Sequence, residues 1–125
     1  INAALCQAAT DAILAQTTVI FLPNSDQLDA TGDSVIAELV KAMLPCATGT
    51  LRAEIGGHTD TSGDADKNLT LSQLRADRVR GALVNAGLPA PMLTAKGYGS
   101  AQPISENETP EGRAKNRRTT VTWAQ

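Results

Sequence analysis

Two apolar periodicities alternate along this chain, and this alternation constrains the fold more than any other feature of the sequence. A helical repeat is clearest between residues 35 and 44, where it runs through Val35, Ile36, Leu39, Val40, Met43 and Leu44. Residues 50–56 alternate instead, with Leu51, Ala53 and Ile55 as the apolar positions of a half-buried strand. Because strands separated by helices pair in parallel through crossover connections, this alternation predicts an α/β sandwich.

The predicted elements follow the order α-β-α-β-α-β-β. Helices are expected at residues 2–15, at 31–44 with Thr31 as N-cap, and at 68–86, and strands at 17–22, 50–56, 93–98 and 119–123. No helix separates the last two strands, so we expect a mixed, four-stranded sheet packed by helices. The chain has 125 residues, a length that suits one domain.

Composition excludes several functional classes. The formal net charge is -2, and Phe21, Tyr98 and Trp123 are the only aromatic residues, so neither charge nor base stacking favours nucleic-acid binding. No apolar window of about 18 residues is present, so we expect no membrane span in this fragment. Because the chain begins at Ile1 without a methionine, we expect a fragment or a mature product.

The sequence contains few of the residues and motifs that enzymes and metal sites use. His58 is the only histidine, and it stands two residues before Asp60. The Gly-x-Ser-x-Gly and His-Glu-x-x-His motifs of hydrolases are absent, and no second histidine is available for zinc. Cys6 and Cys46 lack Cys-x-x-Cys spacing, and by count alone they could be free or bridged. We therefore predict a protein that is not an enzyme and uses no metal or cofactor.

One arginine interrupts the apolar stripe of the third predicted helix, which otherwise comprises Leu71, Leu74, Val79, Ala82, Leu83 and Ala86. Arg75 lies about one turn from both Leu71 and Val79, so the three side chains leave the helix on the same face. A guanidinium is costly to bury without a partner. It could form a structural ion pair, or lay its stem along the helix with its charge in water. Otherwise it needs an anion, and Asp60, in the loop before this helix, is the nearest attractive one.

That loop follows a predicted strand, and ligand crevices form outside the carboxyl ends of strands in α/β proteins. At such a crevice Asp60 could accept hydrogen bonds from an ammonium group, while Arg75 could hold a carboxylate in bidentate fashion. The two residues together therefore predict a site for a zwitterion, such as the free amino acid end of a larger ligand.

Several short motifs also occur in the order found in a known family. They are Gly57-His58-Thr59-Asp60 with Gly63; Asn68, Leu71, Ser72, Arg75 and Ala76; Gly97-Tyr98-Gly99; and Gly112-Arg113-Ala114 with Asn116-Arg117-Arg118. With these motifs the chain resembles, over residues 19–122, the OmpA-like domain that ends OmpA-, Pal- and MotB-type proteins. The resemblance implies a single OmpA-like domain over 1–125, with 17–125 as its core and 1–16 as an N-terminal helix extension.

The resemblance implies non-covalent binding of peptidoglycan through the diaminopimelate of its stem peptide, which would anchor the parent envelope protein to the cell wall. The family's acidic and basic ligand residues match Asp60 and Arg75. Further ligand contacts that the resemblance implies are Ser62, Asn68, Leu71 and Arg118. Asn68 could instead serve mainly as the cap of the third helix.

The resemblance also implies a periplasmic or cell-envelope location, in a parent protein with a membrane anchor elsewhere. Some actinobacterial members have a similar N-terminal helix and a matching cysteine pair, which implies a Cys6–Cys46 disulfide. Family members can also hold other envelope proteins, so a protein-interaction module without wall binding is the alternative. That alternative predicts that a substitution at Asp60 leaves partner binding intact.

Overall fold

The helices of this protein pack against a three-stranded mixed sheet. The structure is a computed structural model and describes residues 2–125. Its helices and strands are, in chain order, α1 (Ala3–Gln16), α2 (Ala30–Met43), β1 (Arg52–His58), α3 (Ala65–Asn85), β2 (Leu93–Gly99), α4 (Pro110–Asn116) and β3 (Arg118–Ala124). Short 3-10 turns follow α2 and precede β2. The prediction of helices packed on a mixed sheet is thus confirmed.

The strand β1 lies at the centre of the sheet, which has the order β2-β1-β3. β1 and β2 are parallel because α3 returns the chain across the sheet between them. β3 runs antiparallel to β1, with His58 opposite Arg118. This register brings the loop that leaves β1 next to the residues that lead into β3.

The predicted fourth strand at residues 17–22 is wrong, and the sheet has three strands. In this segment Phe21 makes an isolated bridge to Leu28, and no ladder with another strand forms among the described residues. The last two strands are also separated by a helix, α4, which the predicted order lacks; Pro110 stands at its start, and Thr109 caps it by accepting from the N–H of Gly112 at 3.0 Å. The observed order of helices and strands is α-α-β-α-β-α-β, and not the predicted α-β-α-β-α-β-β.

Helix α1 takes the place on β3 where a fourth strand would pair. The side-chain amide of Gln7 donates to the carbonyl of Val121 at 2.7 Å and accepts from the N–H of Trp123 at 2.9 Å. Residues 17–22 reach β3 through a side chain instead, since Thr18 Oγ1 accepts from the N–H of Thr119 at 3.3 Å. These bonds satisfy backbone groups that an exposed strand edge would leave free.

The free edge of β2 is closed in the same way from α3. The amide of Gln73 donates to the carbonyl of Ala95 at 3.2 Å and accepts from the N–H of Gly97 at 2.8 Å. Arg80 Nε donates to the carbonyl of Leu93 at 2.9 Å. Side chains from helices therefore cover both outer edges of the sheet.

Aspartates, and not the predicted residues, cap the second and third helices. The Asp29 carboxylate accepts a backbone N–H of the first turn of α2 at 2.7 Å, and Asp64 does the same for α3 at 2.9 Å. Both caps have extended backbones, and their negative charge also suits a helix N-terminus. Thr31 is therefore not the N-cap of α2. The third helix begins at Ala65 and ends at Asn85, compared with the predicted 68–86.

The face of α3 that meets the sheet differs from the predicted stripe. Leu74 and Ala86 are exposed, whereas the buried residues of the helix are Ser72, Ala76, Val79 and Leu83. Small residues are needed here because α3 lies very close to the strands. A Cβ added to Gly57 would stand 2.2 Å from the carbonyl oxygen of Ser72. This close approach brings the N-terminal half of α3 against the end of β1.

The predicted disulfide is confirmed: Cys6 in α1 is bonded to Cys46 in the turn after α2, with their Cα atoms 6.2 Å apart. Both cysteines are buried among the aliphatic side chains of the core. Thr10, one turn after Cys6, accepts a hydrogen bond from the indole N–H of Trp123 at 3.2 Å. The N-terminal helix is therefore packed into the core of the described chain.

None of the helices within residues 2–125 has the length and apolar character that crossing a membrane requires. Over the same residues, no group of three or more His, Cys, Asp or Glu side chains is arranged to hold a metal ion.

Candidate functional site

A cleft of about 550 Å³ opens where β1 ends. Its walls are the loop after β1, the first half of α3, the segment 18–24 and the residues that join α4 to β3. All six residues that the sequence analysis assigned to ligand binding line it: Asp60, Ser62, Asn68, Leu71, Arg75 and Arg118. The structure therefore brings these residues together, although they are spread over 59 positions of the sequence.

Asp60 is the only acidic residue that lines the cleft among the described residues, and it is 6% exposed. Its Oδ1 accepts from the N–H of Ser62 at 2.8 Å, and its Oδ2 accepts from Nη1 of Arg117 at 2.5 Å. Burial raises the pKa of this carboxyl, but the bonds from Ser62 and Arg117 outweigh burial and leave the pKa below its ordinary value. Asp60 is thus ionised at neutral pH and held in a fixed orientation.

The cation paired with Asp60 is Arg117, and not Arg75 as the sequence suggested. The antiparallel register explains this pairing. His58 lies opposite Arg118, so the residues that follow His58 run alongside the residues that precede Arg118. Arg117 appears in the Asn116-Arg117-Arg118 motif, but nothing in its local spacing shows which arginine faces Asp60. Arg117 is the ligand-site candidate that the sequence analysis missed.

Arg75 reaches across the cleft to the segment before α2. Its Nε donates to the carbonyl of Ser25 at 2.9 Å, and its guanidinium lies 4.9 Å from the centre of the Phe21 ring. Burial lowers the pKa of Arg75, and the nearby charge of Arg117 lowers it further, while Asp26 raises it. An arginine keeps its charge at neutral pH under such shifts, so Arg75 contributes a fixed positive charge to the cleft.

Asn68 braces the loop that carries Asp60. Its side-chain amide donates to the carbonyl of Ser62 at 2.8 Å and, more weakly, to that of Asp60 at 3.4 Å. It lies in the first turn of α3, after the cap at Asp64, so the alternative role as a helix cap is wrong. Leu71, one turn further along the helix, forms part of the half-buried apolar wall between the loop and Arg75.

Arg118 lines the cleft but is engaged by backbone carbonyls. Its Nη1 donates to Asn116 at 3.1 Å and its Nη2 to Gln102 at 3.0 Å. Burial lowers its pKa, yet an arginine remains charged. Asn116 is fully buried and accepts from the N–H groups of Ile104 and Ser105, so it fixes the long loop against which Arg118 rests.

His58 does not form a catalytic pair with Asp60. Its Nε2 lies 3.0 Å from Oγ1 of Thr120, and its ring stacks on Tyr98 with centroids 5.0 Å apart. Burial, and then the charge of Arg118, lower the pKa of His58 to about 4. The imidazole is thus neutral at pH 7, and the charged side chains that line the cleft within residues 2–125 are one aspartate and three arginines.

The sequence matches the OmpA family over residues 20–117. The outer-membrane lipoprotein YfiB of Pseudomonas aeruginosa is 34% identical over 103 residues, which are 82% of this chain and 60% of the relative. The peptidoglycan-binding protein ArfA of Mycobacterium tuberculosis is 44% identical over 70 residues, 56% of this chain and 22% of the relative. The chain therefore spans between about a fifth and three fifths of these relatives.

Solved structures share the fold. The C-terminal domain of Helicobacter pylori MotB matches with a TM-score of 0.77 at 24% identity, over 86% of this chain and 83% of that one. The peptidoglycan-associated lipoprotein of Burkholderia pseudomallei matches with a TM-score of 0.70 at 27% identity, over 90% of this chain and 93% of that one.

Proposed function

The chain belongs to the OmpA family, and from this premise we propose that it binds peptidoglycan non-covalently through the diaminopimelate of the stem peptide. Its relatives are outer-membrane proteins, lipoproteins and periplasmic domains, so the chain is a cell-envelope domain. Two of the similar proteins are named for binding to or association with peptidoglycan. In this role the domain anchors its parent protein to the wall.

The observation that carries the proposal is the presence of a buried, ionised carboxylate and a half-buried guanidinium in one cleft. A carboxylate has about four acceptor sites. Asp60 uses one oxygen for Ser62 and the other for Arg117, so it retains capacity to accept from an ammonium group. Arg75 uses its Nε for Ser25 and has no hydrogen bond from its Nη groups to residues 2–125. Those groups can hold a carboxylate in bidentate fashion.

Diaminopimelate presents such a pair of groups, because one of its ends keeps an ammonium and a carboxylate on the same carbon. We assign the ammonium to Asp60 and the carboxylate to Arg75. Ser62 and Asn68 hold the loop in shape, Leu71 lies against the aliphatic chain of the ligand, and Arg118 adds positive charge. This assignment requires no proton transfer and no bond cleavage, in keeping with binding alone.

A single peptide end engages few groups, so we expect modest affinity for each isolated site. A wall presents the same peptide many times, and a tethered domain rebinds at high effective concentration. Many weak contacts together then anchor the parent protein. Because each contact is weak, the protein can also exchange between sites on the wall.

Calorimetric titration with two synthetic tripeptides tests this assignment. Ala-γ-Glu-diaminopimelate carries the zwitterionic carbon, whereas Ala-γ-Glu-Lys keeps the ammonium but lacks the carboxylate beside it. We expect the first to bind and the second to bind at least roughly 30-fold more weakly, because Arg75 would be left unpaired.

The same titration on Asp60→Asn and Arg75→Gln should show losses of similar size. Asp66→Asn and Arg52→Gln are matched controls, since both residues are exposed and lie outside the cleft. Equal affinity for the two peptides, or unchanged binding by a folded Asp60→Asn protein, would contradict the assignment. Binding of a natural envelope partner that survives Asp60→Asn would favour the protein-interaction alternative.

A further inference from the structure

The cleft carries more positive charge than a zwitterion requires. Among the described residues it is lined by Asp60 and by three arginines, Arg75, Arg117 and Arg118, a formal surplus of two positive charges. The whole chain, in contrast, has a net charge of -2. One ammonium and one carboxylate would leave this local surplus unchanged, because such a ligand end is neutral.

The three arginines differ in how far they are already engaged. Both Nη groups of Arg118 donate to backbone carbonyls, so it is more engaged than Arg75 and Arg117, each of which donates through a single nitrogen. Arg75 is the partner assigned to the carboxylate of the zwitterion. Arg117 donates through Nη1 to Asp60, and its side chain is 50% exposed. Its Nε and Nη2 have no partner among residues 2–125, so they remain available to a ligand.

The positive charges also act on one another. Burial is the main reason why the pKa of Arg75 is lowered, and the charge of Arg117 lowers it further. The second effect means that the two guanidinium groups are close enough to repel each other. Asp60 neutralises one charge, and the nearby Asp26 is bound to Arg78 on the outer surface of α3. An anionic group placed near Arg117 would relieve this repulsion, whereas a neutral amide would not.

Resting on the proposed function, we infer that the cleft selects a peptide end with a second ionised carboxylate close to the zwitterionic carbon, and that Arg117 binds it. Arg117 then has two roles: it orients Asp60 for the ammonium, and it offers its exposed donors to the second carboxylate. The domain thereby distinguishes wall peptides with free carboxylates from peptides in which the same carboxylates are carboxamides.

Two probes separate this inference from the proposed function. The first is the free tripeptide Ala-γ-Glu-diaminopimelate. The second is the same tripeptide with its glutamate carboxylate, and the diaminopimelate carboxylate on the peptide-linked carbon, converted to carboxamides. Both keep the same zwitterionic carbon. Each is titrated by calorimetry into wild type, Arg117→Gln and the control Lys115→Gln, which loses the same charge at an exposed position of α4 outside the cleft.

We expect wild type and Lys115→Gln to prefer the free tripeptide about fivefold, the effect of one partly exposed charge contact. Arg117→Gln should bind both probes with equal affinity. Equal binding of both probes by wild type overturns the inference and leaves the proposed function intact. A preference that persists in Arg117→Gln also overturns it. If wild type binds neither probe, the inference fails together with the proposed function.

Discussion

At the scale of single residues, the burial of His58 makes stability depend on pH. The imidazole is 5% exposed between Tyr98 and Thr120, and burial together with Arg118 lowers its pKa from 6.5 to about 4. Between pH 6.5 and pH 4, His58 is protonated in the unfolded chain but stays neutral in the folded protein. The free energy of unfolding therefore falls as the pH drops from about 6.5 to about 4, by up to roughly 3 kcal/mol.

His58 can be observed without interference because it is the only histidine in the chain. We predict that its ring resonances in an NMR titration stay those of a neutral imidazole down to about pH 5 and change near pH 4. Denaturant unfolding should show the lower stability at pH 4.5 than at pH 7.5. A midpoint near 6.5 would mean that the ring is solvated and that this contribution to stability is absent.

The six residues assigned from the sequence to ligand binding all line one cleft, but the pairing of the charges within it could not be predicted. Asp60 and Arg75 were found because a charge on an apolar helix face and an acid in the preceding loop are local signals. The partner of Asp60 is Arg117, which is 57 positions away and reaches it through the antiparallel register of β1 and β3. The register between two distant strands cannot be read from the residue spacing within either strand.

At the scale of helices and strands, glutamine side chains complete the sheet. Gln73 from α3 and Gln7 from α1 each give one donor and one acceptor to a strand edge. The three strands and the helices α1, α2 and α3 follow from apolar periodicity, which is a local property, whereas the short α4 is missing from the predicted order. Residues 17–22 have strand-like composition, but whether they pair is decided by α1, which already occupies the edge of β3. The sequence pattern therefore predicted one strand too many.

Gln73→Ala tests this edge closure. The substitution removes a donor to Ala95 and an acceptor for Gly97, and we expect a loss of about 1–2 kcal/mol in the free energy of unfolding. Urea denaturation measures this loss, with Gln27→Ala at an exposed position as the control. If both variants unfold at the same urea concentration, the Gln73 bonds do not stabilise the sheet.

At the scale of the whole molecule, the N-terminal helix is held to the rest of the chain by more than one kind of contact. Cys6 is bonded to Cys46, Gln7 closes the edge of β3, and Thr10 accepts from the indole of Trp123. The disulfide was implied by the family resemblance, whereas the side-chain contacts had no signal in the sequence. The bridge spans 40 residues, so it removes substantial entropy from the unfolded chain.

We predict that replacing both cysteines, as Cys6→Ser with Cys46→Ser, lowers the free energy of unfolding by about 4 kcal/mol. For a chain of this length that corresponds to a decrease of about 15 °C in Tm. Thermal unfolding with and without reductant measures the effect. Reductant should lower the Tm of the wild type and leave that of the double variant unchanged, because the chain has no other cysteine. An unchanged wild-type Tm would contradict the prediction.

The central claim is that this domain holds the cell wall through the cleft of Asp60 and Arg75, and co-sedimentation with purified peptidoglycan sacculi tests it most directly. Circular dichroism first establishes that each variant is folded. We predict that wild type, Asp66→Asn and Arg52→Gln pellet with the sacculi, while Asp60→Asn and Arg75→Gln stay in the supernatant. A folded wild-type protein that stays in the supernatant, or folded cleft variants that pellet as the wild type does, would contradict the claim.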